Sequence, residues 1–180
     1  MGLIVFWIII LLCCYMLIRY LVGTYNSLVF LKNNCYKAFA NIDVLLKKRF
    51  DLLPAIVQIA DQAMTHEKFL INMLVKSRDT YISTSDLDTK INTVNQTAAY
   101  FQKAIIIAEN YPHLISKNTL LELQSQTKRI EDQIADRREF FNQTVALYNT
   151  GIQLFPNVIF AFLFGFKMIS LLYAQQEPKQ

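Results

Sequence analysis

The chain begins with a nearly unbroken apolar run. Residues Gly2 to Ile18 carry no charge, and after Arg19 the run continues through Val22. A helix rises about 1.5 Å per residue and the hydrocarbon core of a bilayer is roughly 30 Å thick, so about 20 residues are enough to cross it. The pattern therefore predicts a transmembrane helix, the anchor, over residues 1–23. Its representative side chains are Leu3, Trp7, Ile10 and Ile18, with Arg19 placed to reach the lipid headgroups.

The basic residues near the anchor predict its orientation. None precedes it, whereas Arg19, Lys32 and Lys37 follow it. Because cytoplasmic flanks carry an excess of Lys and Arg, we expect a single-pass protein with its N-terminus outside and the rest of the chain in the cytoplasm. A cleaved signal peptide is the alternative interpretation, but no basic residue precedes the run and no A-x-A-like site lies near Gly23.

Beyond the anchor, apolar residues recur at intervals of three and four, the spacing of one helix face. The stripe is wide, which suits a helix in a multi-helix bundle. We expect this helix to run from about residue 24 to about residue 80. A kink is expected near Phe50, because Pro54 removes a hydrogen-bond donor and clashes with the carbonyl four residues earlier. The stripe consists of Leu28, Leu31, Cys35, Ala38, Ile42, Leu45, Leu52, Ile56, Ile59, Ala63, Leu70 and Met73.

Two further helices are predicted by the same spacing. Ser85, with Asp88 three residues later, resembles the start of the second helix, and Pro112 closes it. The third helix ends near Gly151 and Pro156. The expected fold class is all-α: an N-terminal transmembrane helix followed by an antiparallel up-and-down bundle of long helices.

The last part of the chain becomes apolar again. Residues 157–174 contain one charge, Lys167, and are predicted to form an apolar C-terminal helix before a polar tail at 175–180. This length is marginal for a second span. If the first helix rises roughly 85 Å beyond the anchor, the segment starts far from the bilayer. We therefore expect it to cap the distal end of the bundle, residues 24–156, or to form an oligomer contact.

Composition narrows the functional classes. Hydrophobic residues make up 53% of the chain and charged residues 18%, which disfavours a disordered protein. The basic residues do not gather into a patch with interleaved aromatics, so nucleic-acid binding is not expected. The two His, three Cys and absence of a Gly-rich loop predict no enzyme, no cofactor and no small-molecule substrate. His66-Glu67 does not complete a zinc motif, because position 70 is Leu70 rather than a second His.

Arg49 stands where the apolar stripe of the first helix calls for an apolar residue. We hypothesise that it pairs with a carboxylate of the third helix, either Glu131 or Asp132. A buried pair of this kind adds little net stability but can specify register. The alternative is that Arg49 lies along a solvated edge.

Other polar residues are interpreted by their spacing. Asp43 and Asp51 are two turns apart, too far to act together on one substrate atom, whereas Asp43 and Lys47 form a favourable i, i+4 pair. Asparagines beside a helical seam can hold register, and caps or surface amides are an equally good interpretation. The residues concerned are Asn26, Asn142 and Asn149, together with Tyr25 and Tyr148.

Two sets of short motifs run along the chain in a specific order. The first set is Tyr25-Asn26-Ser27-Leu28-Val29, Ala38-Phe39-Ala40-Asn41-Ile42-Asp43-Val44, Lys48-Arg49-Phe50-Asp51-Leu52-Leu53-Pro54 and His66-Glu67. The second set is Tyr111-Pro112, Leu123-Gln124, Glu131-Asp132-Gln133-Ile134-Ala135, Arg138, Asn142, Val145, Tyr148-Asn149, Phe155-Pro156-Asn157, Ala161 and Gly165-Phe166. Together they resemble the bacterial LemA family over about residues 25 to 167. Departures from the family pattern are Leu45, Phe50, Ala55 and Phe141.

The resemblance implies a bacterial inner-membrane protein with one N-terminal anchor, a cytoplasmic antiparallel helical bundle and no established enzymatic activity. A magnetosome relative in the family is involved in forming a membrane compartment, which by analogy suggests membrane shaping. The leading hypothesis is a membrane-anchored scaffold that self-associates, with the lipid bilayer and further copies of the chain as its partners. The alternative hypothesis is an adaptor that binds another membrane protein, such as a protease or a signalling kinase.

Overall fold

The computed structural model describes residues 1–55, 68–110 and 117–173. Expectations for other positions, among them His66-Glu67 and the polar tail, lie outside the described residues. In the described ranges the chain forms α-helices and no strand, which confirms the all-α bundle. The helices are α1 (Gly2–Asp51), α2 (Lys68–Ser83), α3 (Leu87–Asn110), α4 (Lys117–Gln153) and α5 (Asn157–Phe164).

The chain divides into two compact units. Unit 1 consists of Met1–Cys35 and Thr144–Met168, and unit 2 of Tyr36–Gln143 and Ile169–Gln180. Helices α1 and α4 contribute residues to both units, so each unit is described by itself.

Helix α1 joins the anchor and the first bundle helix without a break at Gly23. Every side chain from Leu3 to Val22 is exposed, and the first fully buried one is Leu28. The predicted boundary at residue 23 is therefore a change in what the helix contacts, not an end of the helix.

The predicted single helix over residues 24–80 is wrong. Helix α1 ends at Asp51, and the next amide, that of Leu52, bonds to the carbonyl three residues back at 3.2 Å. This break lies where Pro54 has no N–H to offer the carbonyl of Phe50. On one continuous helix Phe50 and Tyr81 would lie roughly 46 Å apart, yet their ring centroids are 5.0 Å apart. The chain therefore reverses before α2, a change that a helical stripe cannot reveal when both arms present apolar faces.

Unit 2 packs segments of α1, α2, α3 and α4 around an aromatic core. The Phe50 ring lies 5.0 Å from Tyr81 and 6.0 Å from Phe101, and Phe39 lies 5.7 Å from Phe141. The side chains of these five aromatics are almost completely buried. Edge-to-face and tilted pairs of this kind add stability beyond their buried area.

Helix α3 starts one residue later than the pattern at Ser85 indicated. Its first residue is Leu87, and the carboxylate of Asp86 accepts a hydrogen bond from the amide of Thr89 at 2.8 Å and another from the Thr89 hydroxyl at 2.6 Å. Asp86 is therefore the capping residue. These bonds lower the pKa of Asp86. Asp88 lies in the first turn of α3, as predicted, and its carboxylate also accepts a hydrogen bond from the backbone amide of Ser170.

Unit 1 packs the first part of α1 against the end of α4 and against α5. Cys35 donates from Sγ to the carbonyl of Thr144 at 3.6 Å, and burial raises the pKa of this thiol to about 11. Gly151 is buried inside α4 rather than ending it, and an added Cβ there would lie 2.9 Å from Leu31 Cδ1. Glycine thus permits a close approach of the two helices.

The apolar C-terminal helix predicted over residues 157–174 is also wrong in extent. Helix α5 ends at Phe164, because Gly165 adopts the left-handed conformation with φ 67° and its amide bonds to the carbonyl of Ala161. Residues 166–173 are not helical. Only glycine adopts such a conformation at little cost, so the chain leaves the helix there.

The expected distal position of this segment is wrong as well. The ring of Phe164 lies 4.8 Å from Tyr25, which is three residues beyond the apolar run that ends at Val22. Helix α5 is therefore next to the end of the anchor. The expectation failed because it assumed one long rising helix, whereas in unit 1 the end of α4 runs antiparallel to α1 and toward the anchor.

Candidate functional site

The anchor presents its apolar side chains outward. Leu3, Trp7 and Ile18 are more than half exposed, Ile10 is 40% exposed, and Arg19 is exposed near the end of the run. Helix α1 is long and apolar enough to cross a bilayer, and none of its most apolar window is buried. A helix with apolar residues on all sides needs a nonpolar environment on all sides. These are the features of a membrane-associated protein.

Helix α5 and the residues before it form a second exposed apolar surface, here called the α5 surface. It is defined by side chains of Leu154, Phe155, Val158, Ile159, Phe162, Leu163 and Phe164. Phe162 is 88% exposed and Phe155 82% exposed. Ala161 is the one buried residue of α5, so the helix touches the rest of unit 1 through a small area.

Local features specify the position of α5. Pro156 precedes its first residue, and the amide nitrogen of the Asn157 side chain donates to the carbonyl of Gly151 at 2.9 Å. At the other end, Gly165 turns the chain away, and the amide of Phe166 also bonds to the carbonyl of Ala161 at 2.9 Å. The axes of α4 and α5 differ by 96°. The predicted motif residues Pro156 and Gly165 therefore bracket this short helix.

Tyr25 and Lys32 connect α1 to this end of unit 1. The Tyr25 ring is 4.8 Å from Phe164 and 6.0 Å from Phe166, and Lys32 Nζ lies 5.7 Å from the Phe166 ring centroid. The Tyr148 hydroxyl donates to the carbonyl of Lys167 at 2.9 Å. Tyr25 and Tyr148, predicted as structural or interaction residues, thus both hold the chain around α5.

In unit 2, two asparagine side chains bind the backbone of the non-helical C-terminal segment. Asn142 donates to the carbonyl of Leu172 at 2.8 Å and accepts from its amide at 3.0 Å. Asn95 donates to the carbonyl of Leu171 at 2.9 Å and accepts from the amide of Tyr173 at 3.0 Å. Each amide side chain therefore acts as a neighbouring strand would, satisfying one donor and one acceptor of the backbone.

Two charged residues complete this set of contacts. Asp88 accepts from the amide of Ser170 at 2.9 Å, and Arg138 donates to the carbonyl of Tyr173 at 3.4 Å. The side chains of Ile169 and Leu172 are buried between these contacts. We define residues 169–173 with these four partners as the C-terminal clamp. Asn142 and Arg138 were predicted as interaction residues, whereas Asn95 was not.

Arg49 lies inside unit 2 and pairs with the first of its two predicted partners. Arg49 Nε is 3.0 Å from Glu131 Oε1, and its guanidinium carbon is 4.4 Å from the ring centroid of Phe101. The Nε–Oε1 approach is an ion pair but is not aligned as a hydrogen bond, and Nη2 has no hydrogen-bond partner among the described residues. Burial lowers the pKa of Arg49, and Glu131 opposes that effect.

A cavity of about 20 Å³ adjoins the Arg49 side chain. This volume is enough for one water molecule, which could complete the hydrogen bonds of the guanidinium. The interpretation of Arg49 as a residue on a solvated edge is wrong, since its side chain is 6% exposed.

Asp43 forms the second polar cluster of unit 2. Its carboxylate lies 2.7 Å from Lys47 Nζ and 3.1 Å from Lys90 Nζ, and it accepts the Tyr81 hydroxyl at 2.6 Å. The predicted pair with Lys47 is confirmed. Burial alone would raise the pKa of Asp43, but these hydrogen bonds hold it below its usual range. Burial and the bond to Asp43 raise the pKa of Tyr81.

The remaining predicted residues lie at the surface or at helix ends. Asn26 and Pro54 are exposed, and the backbone carbonyl of Asn149 accepts Gln153 Nε2 at 2.9 Å. Asp51 lines a cleft of about 480 Å³. Its other lining residues are Lys48, Leu52, Gln126, Arg129, Ile130 and Gln133.

The cleft beside Asp51 and the two polar clusters of unit 2 differ in the side chains that they bring together. The cleft beside Asp51 contains no His, Cys or Ser among its lining residues. Across the described ranges, no three His, Cys, Asp or Glu side chains gather as metal ligands would. The two well-defined polar clusters, at Asp43 and Arg49, each connect helices of the bundle.

Sequence reasoning missed several residues that the structure brings together. Asn95 lies on α3 next to the buried Val94, and Lys90 lies four residues, about one turn, before Val94. A polar residue adjoining a stripe is a weak signal, because surface amides are common at such positions. Asn95 has a role because the non-helical backbone of Leu171 and Tyr173 lies opposite it. No local sequence pattern indicates that this segment lies there.

Comparison with known proteins agrees with this architecture. The LemA family model matches residues 38–180. Over 76 residues, or 42% of this chain, the sequence is 33% identical to the magnetosome proteins MamQ 1 and MamQ 2 of Paramagnetospirillum magneticum and to MamQ of Magnetospirillum gryphiswaldense. The match spans 27% of each of these longer relatives. With most of its length matched by the family model, this chain belongs to the LemA family.

Proposed function

We propose that this protein is a non-enzymatic helical scaffold that is anchored in the bacterial inner membrane, self-associates and organises the bilayer around it. The observation that carries the proposal is the continuity of α1. The same helix presents exposed apolar residues from Leu3 to Val22 and then supplies the buried residues Leu28 and Cys35 to the packing of unit 1. An anchor that is continuous with a core helix cannot move independently of that part of the bundle.

Exposed apolar side chains beyond the anchor support self-association. In unit 1, Phe30 on α1 is 62% exposed and Leu147 on α4 is 66% exposed. Contiguous apolar patches at a surface are typical of contact sites, and Phe30 and Leu147 are the residues that we propose for such a patch. The relatives named magnetosome proteins support a connection with a membrane compartment, and the positive flank of the anchor supports a bundle in the cytoplasm.

The mass of the full-length protein tests self-association. Light scattering of the detergent-extracted chain should give a discrete assembly of several copies. Leu147→Glu should reduce the mass toward that of one chain, because a charge would be desolvated in the contact. Ala146→Glu is the matched control, since Ala146 is also exposed but points about 100° away around the helix.

A single chain in the wild-type protein at all concentrations would refute self-association. The adaptor hypothesis, in which the bundle presents a surface to another membrane protein, would then take its place. Crosslinking in cells, with the full-length chain as bait, would be the experiment that identifies such a protein.

A further inference from the structure

The α5 surface lies beside the exit of α1 from the bilayer. Phe164 contacts Tyr25, and Tyr25 is three residues past Val22, which corresponds to about 4.5 Å along the helix. Tyrosine and tryptophan side chains favour this level of a membrane, where the ring meets the acyl chains and the hydroxyl meets water. The contact with Tyr25 therefore places α5 at the depth of the lipid headgroups.

The direction of α5 suits a helix lying in that layer. In unit 1 the end of α4 runs antiparallel to α1, since Cys35 contacts Thr144 while Leu31 lies against Gly151. Helix α1 crosses the bilayer, and α5 turns 96° from α4. Helix α5 is thus close to the plane of the membrane. Its eight residues span roughly 12 Å, too short to cross the bilayer.

The exposed side chains of α5 are large and apolar, and their contact with water is unfavourable. Val158, Ile159, Phe162, Leu163 and Phe164 are between 44% and 88% exposed. A soluble surface rarely carries such a continuous apolar patch. Helical hydrogen bonds satisfy part of the backbone of this eight-residue helix, and at the level of the headgroups the groups at its ends have water and lipid headgroups as partners.

The charges of unit 1 point to lipid rather than to a polar protein surface. Its residues include three cations, Arg19, Lys32 and Lys167, and no Asp or Glu. Lys167 is exposed two residues after Gly165, where the chain leaves α5. Apolar rings flanked only by cations match a leaflet of acyl chains beneath anionic headgroups.

We infer that α5 inserts its apolar face into the leaflet on the bundle's side of the same bilayer that α1 crosses, with anionic phospholipid as its preferred partner. The inserted helix forms a second membrane contact that widens the footprint of the anchor in one leaflet. This inference requires only that α1 spans the membrane, and it holds whether or not the protein self-associates.

Depth-dependent fluorescence quenching tests the inference in the full-length protein. The chain has a single tryptophan, Trp7, which lies in the anchor and reports insertion of the span. In a Trp7→Phe background, Phe162→Trp places the reporter on the α5 surface and Phe69→Trp places it on α2. Phe69 is a suitable control because it is 68% exposed. The proteins are placed one copy per nanodisc of phosphatidylethanolamine and phosphatidylglycerol.

The tryptophan at position 162 should be quenched several-fold more than that at position 69. Lipid brominated high on its acyl chains should be the better quencher, because interfacial helices bury about 5–10 Å into the headgroup and acyl boundary. A tryptophan introduced by Leu163→Trp should be quenched to a similar extent. This second reporter shows that the result does not depend on the Phe162→Trp substitution itself. Circular dichroism checks that each variant keeps its helical content.

Equal, weak quenching at positions 162 and 69 would overturn the inference. Protection of position 162 only in discs holding two copies would also overturn it, because the occupant would then be a second chain. Quenching of native Trp7 separates these results from failure of the anchor itself. The mass measurement on the detergent-extracted protein reports self-association independently.

Discussion

Unit 1 and unit 2 differ in which charged side chains they contain and in where these side chains lie. Unit 1 has three cationic side chains and no acidic one, while all fourteen Asp and Glu residues lie in the sequence of unit 2. Unit 2 buries Arg49 and closes Asp43 within a cluster of partners, whereas unit 1 exposes large apolar residues such as Phe155 and Phe162. Unit 2 pairs Arg49 and Asp43 with oppositely charged side chains of the same unit, and unit 1 presents apolar surfaces that a lipid environment would cover. The surface of unit 1 therefore suits a lipid environment, whereas the charged side chains of unit 2 suit water.

The largest expected effect comes from removing the partner of the buried arginine. Glu131→Ala should destabilise the protein by about 3–5 kcal/mol, because Arg49 would keep its charge without a counter-ion. Replacing both residues by Met should be far milder, since an apolar pair of similar volume often packs equally well. The measurement is urea unfolding of the full-length protein in detergent, followed by circular dichroism.

Asp132→Ala is the matched control for this substitution. Asp132 is the adjacent residue and the other predicted partner, but it is exposed, so its loss should change the free energy of unfolding by less than about 0.5 kcal/mol. Equal effects at positions 131 and 132 would contradict the importance of the buried pair.

The second effect concerns the C-terminal clamp. Asn142→Ala removes both hydrogen bonds to Leu172, leaving a partly buried amide and carbonyl without partners at a cost of about 1–3 kcal/mol. Hydrogen exchange of a peptide containing Leu172 should become much faster. Gln143→Ala, which alters the exposed neighbouring residue, should leave that exchange unchanged. Unaltered exchange in Asn142→Ala would show that the clamp does not hold this segment.

The third effect is a pH dependence specific to unit 2. The folded state holds the pKa of Asp43 below its usual range, so the stabilisation by its ionised form is present above the unfolded-state pKa of about 3.9. It is lost as the pH falls through the lower pKa of the folded state. The free-energy difference between wild type and Asp43→Asn should therefore be constant near neutral pH and shrink in acid.

Tyr81→Phe sharpens the same experiment. It removes one hydrogen bond that lowers the folded-state pKa of Asp43, so the loss of stability in acid should be smaller and should be complete at a higher pH than in the wild type. If the difference in free energy of unfolding between the wild type and Asp43→Asn does not vary with pH, the role assigned to this cluster is contradicted.

The smallest effect concerns the charges of unit 1. Lys167→Gln should weaken the dependence of α5 insertion on phosphatidylglycerol, because each cation near an anionic surface contributes about 1 kcal/mol. The quenching of the tryptophan at position 162 reports the change. Lys37→Gln should have no effect, since Lys37 lies fifteen residues beyond Val22, roughly 22 Å along α1 and more than a Debye length away. Equal responses would indicate that headgroup charge does not guide α5.

Several features of the fold followed from local pattern. The apolar run before Gly23, the stripe of α1 and the odd position of Arg49 are properties of adjacent turns of one helix, which periodicity reports directly. The i, i+4 pair of Asp43 with Lys47 is similarly local. Local pattern did not decide between Glu131 and Asp132 as the partner of Arg49. Both lie on one turn of α4, and only packing selects the one that faces Arg49.

By itself, the sequence determined a helical protein with an N-terminal anchor, membership in the LemA family and an apolar segment at residues 157–174 whose one charge is Lys167. Tertiary structure alone decided that the chain reverses between α1 and α2, which brings Phe50 against Tyr81, and that α5 packs against Tyr25. It also decided that residues 169–173 leave the helix and bind Asn95 and Asn142. The physical reason is that helical periodicity depends on neighbours a few residues apart, whereas a reversal or a side chain replacing a strand depends on groups far apart in the chain.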